Sequence, residues 1–192
     1  MKRSLMHILV VCGLLVAGTA SAKNITVTLP MSSVDSYAND RGSYYAVSVS
    51  VPADVIGKRL DTVLLEFAVN ATATEDSAAT PVVGVYPLKR NADGGISDAA
   101  GRIDTSAFEA IVPSARPVAC GENRIVRVDI TDIVKGWIKD PSSNHGLVFG
   151  SLTGPSVGTV TLKDQLPSSD GAIQLTFFYQ NRFGDRISER NR

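Results

Sequence analysis

The chain has 192 residues, with 19 basic and 19 acidic side chains and a hydrophobic fraction of 44%. This balance excludes a disordered charged tail and a nucleic-acid binder held by bulk positive charge. With 16 glycines, 9 prolines and two cysteines, the composition also excludes a collagen and a disulfide-stapled miniprotein. A chain of this length is enough for one globular domain with its own hydrophobic core.

Residues 1–22 predict a secretory signal peptide. Lys2 and Arg3 form a positively charged start, an apolar stretch follows, and residues 20–22 form an A-x-A cleavage site. The apolar stretch is too short for the ~20 residues that a membrane-spanning helix needs. We therefore expect a secreted protein, extracellular or periplasmic, that begins at Lys23 after cleavage and has no membrane span.

Cleavage of this peptide would remove Cys12, so that Cys120 is the one cysteine of the mature chain. A single thiol cannot form an internal disulfide. We expect Cys120 to be a half-buried small residue, and the alternative is a disulfide to a second chain.

The mature chain predicts eight β-strands, because apolar and polar residues alternate with period two in short runs. The runs cover residues 25–29, 44–51, 60–69, 81–87, 125–130, 146–152, 157–163 and 173–179. Gly, Pro, Ser, Asn and Asp separate them and favour turns. The pattern predicts an all-β fold over residues 23–180, a two-sheet antiparallel β-sandwich that is jelly-roll-like. A charged C-terminal tail is expected at 181–192.

One segment departs from this alternation and predicts a short amphipathic helix. Its apolar residues recur with the helical period at Ile130, Ile133, Val134, Trp137 and Ile138. We expect Thr131 to cap the helix and Pro141 to end it. Trp137 is then expected to be buried between the helix and a sheet.

No motif in the sequence indicates a catalytic or metal site. His145 lies in a turn after the helix, and the serine of the GSLTG run at 150–154 is misplaced for a nucleophile elbow. The run at 91–98 faintly resembles a calcium loop but lacks the spacing of an EF-hand, so a solvated loop is expected. A pair of glycosidase carboxylates forms only in space, which leaves that alternative open. We expect no enzyme activity, no catalytic residues, no metal ligands and no cofactor.

The C-terminal half resembles a known family. Residues 126–152 read VRVDITDIVKGWIKDPSSNHGLVFGSL: a strand ending in Asp, a short helix with Trp, an Asn-x-Gly turn and an apolar strand. This order resembles the DNRLRE domain family, also described as carbohydrate-binding module family 96, which includes disaggregatase-related domains. It is distantly similar to the propeptide of transforming growth factor beta. The segments 44–52, 59–71 and 172–179 resemble other strands of the family.

The resemblance implies a jelly-roll-like β-sandwich. In the studied branches of the family it also implies polysaccharide recognition beside secreted enzymes. The matching residues Asp129, Asp132 and Trp137 look like parts of the scaffold, and the resemblance assigns them no ligand contact.

These observations predict a secreted, non-catalytic module that binds a polysaccharide or cell-surface glycan, and no nucleic acid. Sugar rings stack on exposed aromatic side chains. Tyr44 and Phe178 alternate with core-facing residues and are expected to point outward, whereas the direction of Tyr86 is ambiguous. We take Tyr44, Phe178 and Tyr86 as candidate ligand-binding residues, unless the helix or a long connection covers them.

Two other functions stay open at this point. One is a structural or adhesive protein of the cell surface or extracellular matrix that binds a protein partner. The other is a small glycan-active enzyme, which would need two carboxyl groups facing each other about 5–10 Å apart in a cleft.

Overall fold

The computed structural model describes residues 22–39, 42–74, 79–89 and 114–180. Within these ranges the chain forms ten β-strands and one α-helix, and two antiparallel sheets share one hydrophobic core. The predicted two-sheet β-sandwich with one short helix is therefore confirmed. The predicted signal peptide (except Ala22), the calcium-like run at 91–98 and the tail at 181–192 lie outside the described residues.

The strands follow one another along the chain with short connections in most places. They are β1 (Ala22–Leu29), β2 (Val34–Asn39), β3 (Gly42–Val47), β4 (Arg59–Ala73), β5 (Val82–Pro87), β6 (Ser114–Pro117), β7 (Gly121–Asp129), β8 (Leu147–Ser151), β9 (Gly158–Leu162) and β10 (Ile173–Gln180). Helix α1 (Thr131–Lys139) follows β7, and 3-10 turns lie at Met31–Ser33, Ala53–Val55 and Pro141–Ser143.

The strand order is β1-β10-β4-β7 in the first sheet and β2-β3-β8-β5-β6 in the second. Strand β9 also belongs to the first sheet and pairs with the far end of the long strand β4. The sequence pattern predicts eight of these strands and misses β2 and β6. Both are edge strands: β2 reads VDSYAN without a clean alternation, and β6 reads SARP, which is too short to show one.

The core lies between the sheets and is built on aromatic contacts. The rings of Phe67 in the first sheet and Phe149 in the second have centroids 4.6 Å apart, and Tyr45 stacks on Phe149 at 5.7 Å. The buried hydroxyl of Tyr45 accepts a hydrogen bond from the backbone N–H of Leu162 at 3.1 Å. Its polar atom is therefore satisfied inside the core, as a buried hydroxyl must be.

Helix α1 packs its apolar stripe on the sandwich. Trp137 is only 3% exposed and belongs to the main core, which confirms its predicted burial. The prediction that Thr131 caps the helix is wrong, because Ile130 occupies that position and Thr131 is the first helical residue. The Thr131 hydroxyl instead accepts a hydrogen bond from the Val63 N–H at 2.8 Å and donates to Asp129 Oδ1 at 2.5 Å. It thereby ties the start of the helix to β4 and β7.

The Asn-x-Gly turn before β8 is explained by its contacts. The side chain of Asn144 donates to the carbonyl of Val49 at 2.8 Å and accepts from the N–H of Gly146 at 3.1 Å. Gly146 has a φ of +98°, and a Cβ there would lie 2.3 Å from the carbonyl oxygen of Val47. Only glycine fits this position. The turn therefore brings β8 beside β3, with His145 half-buried between the two turn residues.

Candidate functional site

The three aromatic residues predicted to bind ligand lie on two different faces of the sandwich. Tyr44 and Tyr86 are on the outer face of the second sheet, and Phe178 is on the outer face of the first. All three alternate with core residues, so the predicted outward direction of Tyr44 and Phe178 is confirmed. Tyr86, whose direction was ambiguous in the sequence, also points outward. The structure does not bring the three rings together into one site.

Tyr44 and Tyr86 are buried, with only 4% and 7% of their surface exposed. They form a second apolar cluster with Ala46, Leu88 and Val148, and Tyr37 packs against it. A Cβ added to Gly150 would lie 2.7 Å from Cδ1 of Tyr44, so the ring of Tyr44 lies down across the neighbouring strand. The expectation that Tyr44 is an exposed stacking platform is therefore wrong, and Tyr86 offers no open ring face either.

Phe178 differs from these tyrosines because part of its ring stays accessible. It is half-buried on β10, between Asn24 of β1 and Thr62 of β4. A surface pocket of about 470 Å³ lies against it and includes Lys23 and Asn24. The pocket therefore places an apolar ring beside the amide of Asn24, which can donate hydrogen bonds, whereas Lys23 pairs with the core residue Tyr179 and lies on the other side of β1.

Polar side chains continue from Phe178 across the outer face of the first sheet. We call this surface the open face and define it by the outward residues Asn24, Thr26, Thr28, Leu64, Glu66, Arg127, Gln174, Thr176 and Phe178. Gln174, Thr176 and Phe178 are half-buried and alternate along β10 with fully buried neighbours. Four residues of an extended strand place Gln174 about 14 Å from Phe178. The open face thus carries amide, hydroxyl and charged groups together with the half-buried Leu64, and Phe178 lies at one end of it.

The charged groups of the open face are paired. Arg127 of β7 forms a hydrogen-bonded ion pair with Glu66 of β4, and the hydrogen bond and charge of Glu66 raise the pKa of Arg127. The hydroxyls of Thr26 and Thr176 lie 3.4 Å apart. Glu66 is therefore held by its partner, and the neutral Thr and Gln groups remain for hydrogen bonds to a ligand.

An acidic pocket of about 450 Å³ lies beside the start of α1, and Asp61, Asp129 and Asp132 line it. Two of these carboxylates hold parts of the fold. Asp129 accepts from the N–H of Thr131 at 2.9 Å, and Asp61 accepts from Gln180 at 2.7 Å. In the part of the chain that the structure describes, no three His, Cys, Asp or Glu side chains are grouped to hold a metal ion.

Cys120 is exposed and is not in a disulfide. The expectation that it is half-buried is wrong, because it lies in the connection between β6 and β7, outside both sheets. Within the described residues, no helix is both long and apolar enough to cross a membrane.

No protein-family model matches the sequence, and no curated protein is similar enough to establish a relationship. Membership of the DNRLRE family, which the motif at 126–152 suggests, therefore stays a prediction.

Proposed function

We propose that this protein is a secreted, non-catalytic module that binds a polysaccharide or cell-surface glycan on its open face. The observation that supports the proposal best is the environment of Phe178. Its half-buried ring lies on a mostly polar sheet face, beside a pocket to which Asn24 contributes.

This arrangement suits the chemistry of sugar rings. A pyranose has an apolar C–H face that packs on an aromatic ring, while its hydroxyls need donors and acceptors at the rim. Phe178 would supply the ring, Asn24 the rim, and Thr176 and Gln174 further hydrogen bonds along β10. A chain of sugars lying along the strand direction would contact all of them, which is why a polymeric ligand fits better than a single sugar.

The sequence is the basis for proposing both that the protein is secreted and that its ligand is a polysaccharide or cell-surface glycan. The signal-like residues 1–22 predict export, and the strand-helix-turn-strand motif at 126–152 resembles modules that recognise polysaccharides. N-terminal sequencing of exported protein should find Lys23 first, and an exported chain that keeps Met1 would contradict the predicted processing.

The proposal is tested by a glycan-array screen of the mature chain, followed by affinity measurements on Phe178 variants. Phe178→Ala should lower affinity for the best glycan about tenfold, which corresponds to about 1.4 kcal/mol. Phe178→Trp should retain binding, because it keeps an aromatic face. Ile56→Ala is the matched control, since Ile56 is a 59% exposed apolar side chain in the turn before β4.

Two results would contradict the proposal. If the array detects no glycan ligand, the assigned function is wrong. If a glycan binds with equal affinity to the Phe178→Ala and Ile56→Ala variants, the ligand does not stack on the open face.

A further inference from the structure

Strand β1 lies at an edge of the first sheet. It pairs along its full length with β10, and in the part of the chain that the structure describes no strand pairs with its other side. The carbonyl of Leu29 accepts a hydrogen bond from the N–H of Ala172, so the odd-numbered residues of β1 turn their backbone groups toward β10. The N–H and C=O groups of Asn24, Thr26 and Thr28 therefore point to the open edge.

The other edge strands have features that oppose further pairing, and β1 has none of them. Natural sheets protect their edges with charges, proline and very short strands. β2 contains Asp35, β6 has only four residues with Arg and Pro among them, and β7 is charged at four of its nine positions. On β9, the N–H of Leu162 is already bonded to the Tyr45 hydroxyl. Residues 24–29 of β1 read NITVTL, without charge or proline, and pair with β10 without a bulge.

The same side of the sandwich leaves apolar side chains partly uncovered. Ile25, Val27 and Leu29 point toward the core but are only half-buried, whereas their partners on β10 are fully buried. Met31, in the turn after β1, and Val34, at the start of β2, continue this line to the edge of the second sheet. We call these five residues the apolar strip. Covering it would favour association, because apolar surface would leave water.

We propose that β1 pairs with β1 of a second copy of this chain, antiparallel to it and related by a two-fold axis at Thr26. This register places Thr26 opposite its own copy and Asn24 opposite Thr28, and it forms about six backbone hydrogen bonds. Ile25 then lies beside Val27 of the second copy, so that each apolar strip helps to cover the other. A two-fold interface is closed, and the assembly therefore stops at a dimer.

A second copy fits this edge because the pairing brings no like charges together. In a self-complementary interface the residues near the axis face their own copies, so a charge there would be repelled. Residues 24–29 are uncharged, and Lys23 falls opposite Leu29 of the second copy.

The chain's own segments outside the described residues fit the open edge less well. The segments at 75–78 and 90–113 connect β4 to β5 and β5 to β6, and β6 is at the opposite edge of the second sheet from β2, the strand that follows β1. Residues 181–192 carry four arginines, one Asp and one Glu, and so many charges disfavour a strand on an uncharged edge.

The dimer would join the two open faces side by side. Phe178 lies on the strand next to β1, level with Asn24 and two residues from the axis at Thr26. A strand spacing of ~4.8 Å and a rise of ~3.4 Å per residue then place the two Phe178 rings about 20 Å apart on one surface. This consequence rests on the proposed glycan function, since a polysaccharide long enough to contact both rings would gain avidity.

The pairing is tested by sedimentation velocity of the chain without residues 1–22, in the absence of glycan and over a wide range of protein concentration. The parent chain should form a dimer as its concentration rises. Thr26→Lys should raise the dissociation constant of the dimer at least about tenfold, because two ammonium groups would face each other at the axis. Thr161→Lys is the matched control, on an exposed threonine of β9, and should change the constant less than about twofold.

Opposite charges at the axis test the register. Thr26→Glu alone should also weaken the dimer, and an equimolar mixture of the Thr26→Lys and Thr26→Glu proteins should restore it as a mixed dimer. Thr26→Pro should abolish the pairing but keep β1 on β10, because it removes an N–H that points to the open edge.

Three results would overturn the proposal: a parent chain that stays monomeric at every concentration, equal dissociation constants for Thr26→Lys and Thr161→Lys, or a mixture of the two charged Thr26 variants that does not dimerise. Circular dichroism shows whether each variant folds. If Thr26→Pro does not fold, the charge variants still decide, because Thr26 is exposed. Since no glycan is present, a failure of the dimer is distinguishable from a failure of binding at Phe178.

Discussion

Strands β10 and β8 belong to the two sheets of one sandwich, but their outward side chains meet different surroundings. On β10, the outward residues Gln174, Thr176 and Phe178 are half-buried and lie on the open face. On β8, all five residues are buried, including the outward Val148 at 0% exposure. One outer face is thus a mostly polar surface that is partly open to solvent, and the other is an apolar cluster around Tyr44 and Tyr86.

The sequences of the two strands account for this difference. β10 reads IQLTFFYQ, in which apolar residues alternate with more polar ones at most positions, as in a strand with one face on the core and the other in water. β8 reads LVFGS, a nearly continuous apolar run, which is typical of a strand covered on both faces. The alternation in a strand indicates to which side of the sheet each side chain points. Whether the outward side is covered by other residues is indicated by the polarity of the outward side chains themselves.

The comparison of the two outer faces is tested first by removing the Tyr44 ring, which should cause the largest loss of stability. Tyr44→Ala should lower the free energy of unfolding by about 3–5 kcal/mol, because it empties a buried site next to Gly150. Phe178→Ala, the matched control on the open face, should cost about 1 kcal/mol or less, because its ring is already partly in water. Urea denaturation measures both, and similar losses for the two variants would show that the outer faces do not differ.

Much of the fold could be predicted because its signals are local. The alternation along β4 and β10, the helical stripe with Trp137 and the Asn-x-Gly turn at Gly146 all reappear in the structure. The edge strands β2 and β6 could not be predicted, because each is defined by its pairing with a neighbour and not by its own pattern. The role of Thr131 was hidden for a similar reason, since its hydroxyl partner, the Val63 N–H, is distant in sequence.

The candidate site was predicted less well. The direction of Tyr44 could be read from its neighbours, but its burial depends on packing between strands. A signal was present: Gly150 and Gly84 interrupt apolar strands of the second sheet, and glycine inside a strand often marks a place where a large neighbour lies close.

A smaller effect is expected from a reciprocal pair of nearly isosteric substitutions. Val148→Thr places a hydroxyl in the apolar cluster of the second sheet and should cost about 1–3 kcal/mol. Thr176→Val, on the open face, should change stability by no more than about 0.5 kcal/mol, because the one hydrogen bond of its hydroxyl among the described residues is a long contact with Thr26 at 3.4 Å. Thermal unfolding of both variants gives the comparison, and a larger loss for Thr176→Val would reverse the assignment of the two faces.

The smallest expected effect concerns Tyr37, which packs at the margin of the buried outer face. Burial, and secondarily the negative charge of Asp35, raise the pKa of the Tyr37 hydroxyl above its ordinary value of 10.0. The unfolded chain then loses this proton at a lower pH than the folded chain does. The stabilisation is complete below about pH 10 and is lost as the pH rises through the raised pKa of the folded state.

Absorbance titration of tyrosinate in the folded protein, compared with Tyr37→Phe, isolates this group. The difference between the two proteins should show one hydroxyl that titrates above the ordinary tyrosine value. Asp35→Asn should lower the pKa of Tyr37 but leave it above the ordinary tyrosine value, because burial is the larger cause of the shift. The free energy of unfolding should also fall less steeply above about pH 10 in Tyr37→Phe than in the parent. A Tyr37 that titrates at its ordinary value would mean that the apolar cluster ends at Tyr44, and that β2 presents a solvated face like that of β10.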